Sequence, residues 1–219
     1  MTHEVPARYL ILSVNPLASE KTLSICRAGT LLLDLKIRLD EVSPVSEVAV
    51  DLARFGSDPL EISCVPEMPV HPRFSDDPVW PAELYHEAWR PQVHFSARRG
   101  WINDPNGLVR YRDVWHLFFQ YNPVGREWGN MHWGHATSAD LLHWREQDIA
   151  LFPDSDGTMF SGSALVDVDN RLGLNTPEHD ALLLFYTCAG DTSGLSAGKA
   201  FTQCLAYSVD GGATFQKQI

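Results

Sequence analysis

A short pattern that occurs twice places the strongest constraint on how this 219-residue chain can fold. Ala136-Thr137-Ser138-Ala139-Asp140 leads through Leu141, Leu142 and His143 to Trp144, and Ala206-Tyr207-Ser208-Val209-Asp210 leads through Gly211-Gly212-Ala213-Thr214 to Phe215. Each reads Ala-x-Ser-x-Asp, then a short turn, then an aromatic. The physical content is a β-hairpin: the aspartate accepts backbone N–H bonds in the turn, and the ring packs where the next strand starts. Ser138 and Ser208 stand 70 positions apart. One hairpin recurring at a long period points to sheets repeated around an axis. The alternative is two unrelated turns that share these residues by chance.

Tryptophan divides the chain. All seven lie between Trp80 and Trp144, which predicts two units, 1–79 and 80–219, separated within the proline-rich stretch 66–91. In the first unit Leu31, Leu33, Leu35, Ile37 and Leu39 alternate with Leu32, Asp34, Lys36 and Arg38, a strand pattern with one apolar face. Before it, Leu23 and Ile25 alternate with Thr22 and Ser24, and Ala28-Gly29 supplies a hairpin turn. Residues 48–52 and 60–65 add strands, giving a small β-sandwich-like module of five short strands with a thin core. It carries no cluster of catalytic residue types, so its expected role is to pack against its neighbour. The second unit also reads as β.

With 44% hydrophobic and 21% charged residues the chain has the composition of a folded protein. A net charge of −11 argues against nucleic acid as a partner. No run approaches the roughly 18 apolar residues of a membrane helix, so no membrane is expected. The start, Met1-Thr2-His3-Glu4-Val5-Pro6, lacks a secretory pattern. Cys26, Cys64, Cys188 and Cys204 show no Cys-x-x-Cys spacing and read as free buried thiols. The expected location is the cytoplasm.

Four segments carry possible chemistry. Asn103-Asp104-Pro105-Asn106-Gly107 reads as a structural turn on composition; the functional reading is a turn that fixes the Asp104 carboxylate beside aromatic rings, as a nucleophile or electrostatic partner. In the strand-like run 115–121, Trp115, Leu117, Phe119 and Tyr121 share one face, while His116, Phe118 and Gln120 share the other. Gln120 either caps a turn or bonds a ligand hydroxyl. Trp128-Gly129-Asn130-Met131-His132-Trp133-Gly134-His135 offers indole faces for sugar rings, with histidine and asparagine for hydroxyls. A metal site of His132, His135 and His143 is the competing reading, but His132 and His135 point to opposite faces of a strand, and no metal is expected. His135 and His143 read better as core or supporting residues. Phe160-Ser161-Gly162-Ser163 lacks the Gly-x-Ser-x-Gly elbow of a serine hydrolase, and Gly162 reads as permitting close approach to a ligand.

Taken in order, His94-Phe95, Gly100 to Gly107, Phe119-Gln120-Tyr121-Asn122-Pro123, Trp128 to His135, Asp140-Leu141-Leu142-His143-Trp144 and Phe160-Ser161-Gly162-Ser163 resemble glycoside hydrolase family 32, which includes invertases, levanases and inulinases. The preceding module resembles, more loosely, the small N-terminal domain of some levanase-type members. The resemblance implies an all-β chain: the β-sandwich-like module, then about the first two blades of a five-bladed β-propeller. It implies a retaining double displacement on β-fructofuranosides with two carboxylates about 5–5.5 Å apart. By the same matching Asp104 is the nucleophile, and Asn103, Gln120, Trp128, Phe160 and Ser161 line the fructose subsite. The implied partner is a fructose-containing oligo- or polysaccharide; no cofactor is implied.

Two family motifs are absent: Arg-Asp-Pro, and the Glu-Cys pair whose glutamate is the general acid/base. After residue 120 the glutamates are Glu127, Glu146 and Glu178, and none precedes a cysteine. A chain without the acid is expected to turn over very little, since general acid–base catalysis contributes about 10²–10⁴-fold. The first reading is therefore a fructan- or sucrose-cleaving hydrolase represented by an N-terminal fragment or truncated product. The second is a non-catalytic fructoside-binding or structural propeller piece. A third, fructosyl transfer, differs only in the acceptor. Which fructoside is bound, and the oligomeric state, are open in the sequence.

Overall fold

The computed structural model describes residues 2–67 and 71–218. Residues 68–70 of the expected boundary stretch lie outside the described residues. The chain is all-β; among the described residues the one helical turn is a 3-10 segment, Ala53–Phe55, and no helix is long and apolar enough to cross a membrane.

The first seven strands are β1 (Thr2–His3), β2 (Tyr9–Val14), β3 (Lys21–Arg27), β4 (Thr30–Ile37), β5 (Ser46–Asp51), β6 (Leu60–Val65) and β7 (Arg73–Ser75). They form two antiparallel sheets, ordered β1-β6-β3-β4 and β5-β2-β7. Leu23, Ile25, Leu33, Leu35 and Ile37 from the first sheet share a buried cluster with Leu10, Leu12, Val48 and Val50 from the second. From Leu33 onward the alternation in β4 does what its pattern predicts, but at its start a bulge leaves Leu32 as the extra residue, and Leu32 rather than Leu31 packs on the core. Ala28 and Gly29 both take positive φ, 47° and 76°, the left-handed pair that a tight two-residue hairpin between twisted strands requires. Seven strands replace the five expected. β2 escaped because Leu10, Ile11 and Leu12 are all buried, and a strand covered on both faces does not alternate. β1 and β7 are too short to show a period.

The rest of the chain forms two consecutive four-stranded meanders. The first contains β8 (Trp101–Tyr111), β9 (Val114–Asn122), β10 (His132–Ser138) and β11 (Trp144–Glu146); the second contains β12 (Thr158–Val166), β13 (Leu182–Ala189), β14 (Thr202–Ser208) and β15 (Gln216–Gln218). The repeated pattern marks the last hairpin of each. Asp140 Oδ1 accepts from Leu142 N at 2.9 Å and His143 N at 2.8 Å, and Asp210 Oδ1 accepts from Ala213 N and Thr214 N, both at 3.0 Å. The serine hydroxyls donate to the same carboxylates. Phe215 then packs edge-on against Phe118, 5.4 Å between centroids, and Trp144 against Phe95 at 6.1 Å.

Phe118 and Trp133 of the first meander pack with Met159, Leu182, Leu184 and Tyr186 of the second in one buried cluster. Imidazoles extend it: His135 stacks on Phe118 at 4.6 Å and on His116 at 5.1 Å, the two histidines joined Nδ1 to Nε2 at 3.0 Å. His132 is buried against Phe152, with Nδ1 on the Asn130 carbonyl. His143, read as a core or supporting residue, is not in the core: it is exposed and pairs with Asp140 at 2.7 Å in the repeated turn. All four thiols are free, with Cys64 and Cys188 buried and Cys26 and Cys204 partly so.

The first unit docks on the meanders through polar ties. The Asn130 amide donates to Lys36 O and accepts from Lys36 N, both at 2.8 Å. Asp34 accepts from Gly194 N at 2.8 Å and Leu195 N at 3.2 Å. Arg38 reaches Glu127 at 3.1 Å, and Arg8 reaches Asp148 at 2.8 Å.

Burial pushes His132 and His135 down to about 3, and lowers His116 as well. Their unfolded forms titrate near the ordinary value, about 6.5, so between these limits the unfolded chain binds more protons and stability falls as pH falls. Lowering pH from 7 to 5 should therefore reduce the urea unfolding free energy, with each of His132 and His135 contributing a slope approaching about 1.4 kcal/mol per pH unit. Glu146, raised by burial, acts in the opposite sense, because its folded form binds the proton more readily than the unfolded one and gains stability as pH falls. His135→Gln should flatten the slope; an unchanged slope would refute this origin.

Candidate functional site

Asn103-Asp104-Pro105-Asn106-Gly107 is not a turn. It lies within β8, and the turn-forming residues are spent on two irregularities in its pairing with β9. Asn103 pairs with Gln120 and Pro105 with Phe119, so Asp104 is the extra residue of a β-bulge. A second slip follows between Asn106 and Val109, with Gly107 at φ 48° and so close to β12 that a Cβ would sit 2.9 Å from the Ala164 methyl. Proline is tolerated because β8 ends its sheet's strand order and the bulge already breaks the ladder. A bulge re-aims the side chain it carries.

The first strand of the next meander does the same. Phe160 pairs with Thr187 and Gly162 with Tyr186, leaving Ser161 as the extra residue of β12. The two bulges face each other: Ser161 Oγ donates to Asp104 Oδ2 at 2.8 Å. Beside that bond Gly162 N donates to Asn106 Oδ1 at 3.4 Å, a second tie between the sheets. From β10, Trp133 Nε1 donates to Phe160 O at 3.0 Å and holds the start of the bulge. Gly162 is required by the protein, not by a ligand: a Cβ there would lie 1.9 Å from the Phe185 carbonyl oxygen.

Gln120 sits opposite Asn103 in register, on the same face of the sheet. It is buried, and its amide nitrogen finds no partner among the described residues; the same holds for Asn106 Nδ2. An unpaired buried donor costs about 1–3 kcal/mol, so two of them beside an exposed carboxylate mark a place where ligand hydroxyls or water complete the bonding. Asn106 carried no assigned role in the sequence; its burial next to a bulge is a tertiary fact.

Trp128 stands on the β9–β10 loop, which Asn122 organises by donating to Glu127 O at 2.9 Å and accepting from Val124 N and Asn130 Nδ2. Its ring is 60% exposed and meets Phe160 edge-on at 6.0 Å. The six sequence-predicted residues thus fall on β8, β9, β12 and this loop. Of the two indoles in the 128–135 run expected to face a sugar, Trp133 is instead fully buried; elsewhere Trp89 is almost fully exposed and Trp80 lies under Arg98 and Arg99. Nor does Asn130 offer its amide to a sugar, both of its polar atoms being bonded as described above, and His132 Nδ1 is likewise taken. Glu146 is pushed up by burial, yet it belongs to β11, three strands from β8, or about 14 Å at usual spacing. Its carboxylate accepts from Arg98 N at 2.7 Å.

Two consecutive four-stranded meanders, the first strand of one tied to the first strand of the next through Asp104 and Ser161, define a propeller-class fold. A family model described as the Glycosyl hydrolases family 32 N-terminal domain matches residues 94–219, and the chain belongs to that family. It is 47% identical over 136 residues to a levanase of Bacillus subtilis (strain 168), covering 62% of this chain but 19% of the levanase. The chain thus spans about a fifth of that relative's length. A solved β-fructofuranosidase of Schwanniomyces occidentalis, complexed with fructose, is 41% identical with a TM-score of 0.52, covering 59% of this chain and 25% of that one. A family 32 structure from Bifidobacterium adolescentis covers all of this chain and 39% of its own, with a TM-score of 0.54; at 23% identity it speaks to fold alone.

Gly162→Ala should lower the unfolding free energy by about 2 kcal/mol or more, because backbone and not a flexible side chain blocks the methyl. Urea denaturation would measure it; a neutral result would mean the β12–β13 approach is looser than described.

Proposed function

We propose that this chain is the fructose-binding, N-terminal part of a retaining β-fructofuranosidase. The observation that carries the reading is the meeting of two bulges, Asp104 held by Ser161 at 2.8 Å beside the unpaired amides of Gln120 and Asn106. In this reading Asp104 attacks the anomeric carbon of a fructosyl unit and forms a covalent fructosyl-enzyme, which water later cleaves. Asn103, Gln120 and Ser161 orient the ring through its hydroxyls, and Trp128 and Phe160 pack on its C–H face. Residues 1–79 form a sandwich-like module that packs against the propeller part, 80–219, the first two blades of five. The substrate is a levan-, inulin- or sucrose-type fructoside. Four free thiols favour a reducing compartment, the cytoplasm.

The sequence contains no Glu-Cys and no Arg-Asp-Pro, so the leaving oxygen is protonated by a group outside these 219 residues, or the chain binds fructosides without cleaving them. Assays of fructose release from levan, inulin and sucrose separate these: release that Asp104→Asn abolishes supports catalysis by this chain, and none from either protein leaves binding.

Binding has its own test. Gln120→Leu keeps the shape and removes the unpaired donor, so it should weaken fructose affinity about tenfold while leaving stability equal or slightly raised. Calorimetric titration and urea melts would check both; unchanged affinity would remove Gln120 from the subsite.

A further inference from the structure

A cleft of about 770 Å³, whose lining does not include Asp104, lies between the first seven strands and the meanders. It is within the range of built small-molecule sites, about 300–1,000 Å³. Its floor comes from the β9–β10 loop and its far wall from β4 and the segments around β2 and β5. The ties through Asn130, Asp34 and Arg38 hold that wall in place. Trp128 lines it, and the same indole meets Phe160, the neighbour of Ser161. One indole thus borders the cleft and touches the residue next to the hydrogen-bond partner of Asp104.

The lining chemistry selects a ligand class. Four carboxylates and four cationic side chains line the cleft, so it offers donors and acceptors without net charge. That suits a neutral polyhydroxylated molecule and gives no advantage to a phosphorylated one. Six of these eight side chains already form hydrogen bonds or ion pairs within the protein. Glu20 and Arg126 are the exceptions: both are exposed, and neither has a partner among the described residues.

We propose that this cleft is a second saccharide subsite, in which the remainder of a fructoside chain leaving the Asp104 pocket passes Trp128 and is held through its hydroxyls by Glu20 of the first unit and Arg126 of the loop. The inference rests on the fructoside reading above and deepens it, because it makes the first unit part of the recognition surface for chain length.

The test compares affinities of the full chain for fructose and for linear di-, tri- and tetra-fructosides by calorimetric titration, in wild type and in Glu20→Ala/Arg126→Ala. In the wild type affinity should rise by about tenfold from fructose to the longest fructoside. In the double variant this gain should vanish, with fructose affinity and the thermal midpoint unchanged, since both side chains are exposed and unpaired. A gain that is absent from the wild type, or that survives in the double variant, overturns the proposal while leaving the Asp104 pocket standing. Preference for a phosphorylated fructoside also overturns it. Absence of any fructoside binding removes both readings.

Discussion

Two facing bulges organise the centre of this molecule. A regular antiparallel strand sends alternate side chains to opposite faces, and a polar residue at the end strand of a sheet would ordinarily turn to solvent or into the core. The extra residue in β8 breaks that alternation at Asp104, and the extra residue in β12 breaks it at Ser161. Neither bulge has meaning alone. Together they place a hydroxyl on a carboxylate across the gap between two sheets, and the rest follows: Asn106 must be buried to reach Gly162 N, Gly162 must lack a side chain to approach Phe185, and Trp133 must run its indole under Phe160. Pre-positioning of this kind fixes the orientation of the carboxylate within the folded chain itself.

Much of this was legible because the residues obey short-range rules. The paired Ser-x-Asp hairpins are local hydrogen-bond chemistry, and they fell where the pattern put them. The β4 alternation and the Ala28-Gly29 turn are equally local. The motif at 103–107 misled for an instructive reason. Asp, Pro, Asn and Gly favour turns because they tolerate irregular backbone, and a bulged strand needs that tolerance as much as a turn does. Composition reports irregularity; only pairing with β9 shows that the chain runs on through it. Gly162 failed similarly, since a glycine between two serines shows that something comes close without saying what.

The histidines and tryptophans show the limit of counting residue types. Seven indoles crowd into 65 positions, yet they disperse among core, solvent and cleft. The distribution of side chains over three dimensions is decided by packing between sheets, which no window of sequence contains. His132 and His135 were separable by strand parity, and both prove buried. His143 lay only eight residues further on, but beyond a turn that resets the parity.

The Asn130 amide bonded to both backbone groups of Lys36 has a consequence of another kind. β4 is the last strand of its sheet, and its outer row of N–H and C=O groups is a template on which another chain could add a strand. The side chain of Asn130 occupies one of those positions with a strand's own donor and acceptor geometry, and the Asp34 contact sets the 193–195 segment alongside another part of the edge. What looks like a joint between two parts of the protein is also a guard: while it stays closed, this edge strand is unavailable for intermolecular sheet growth.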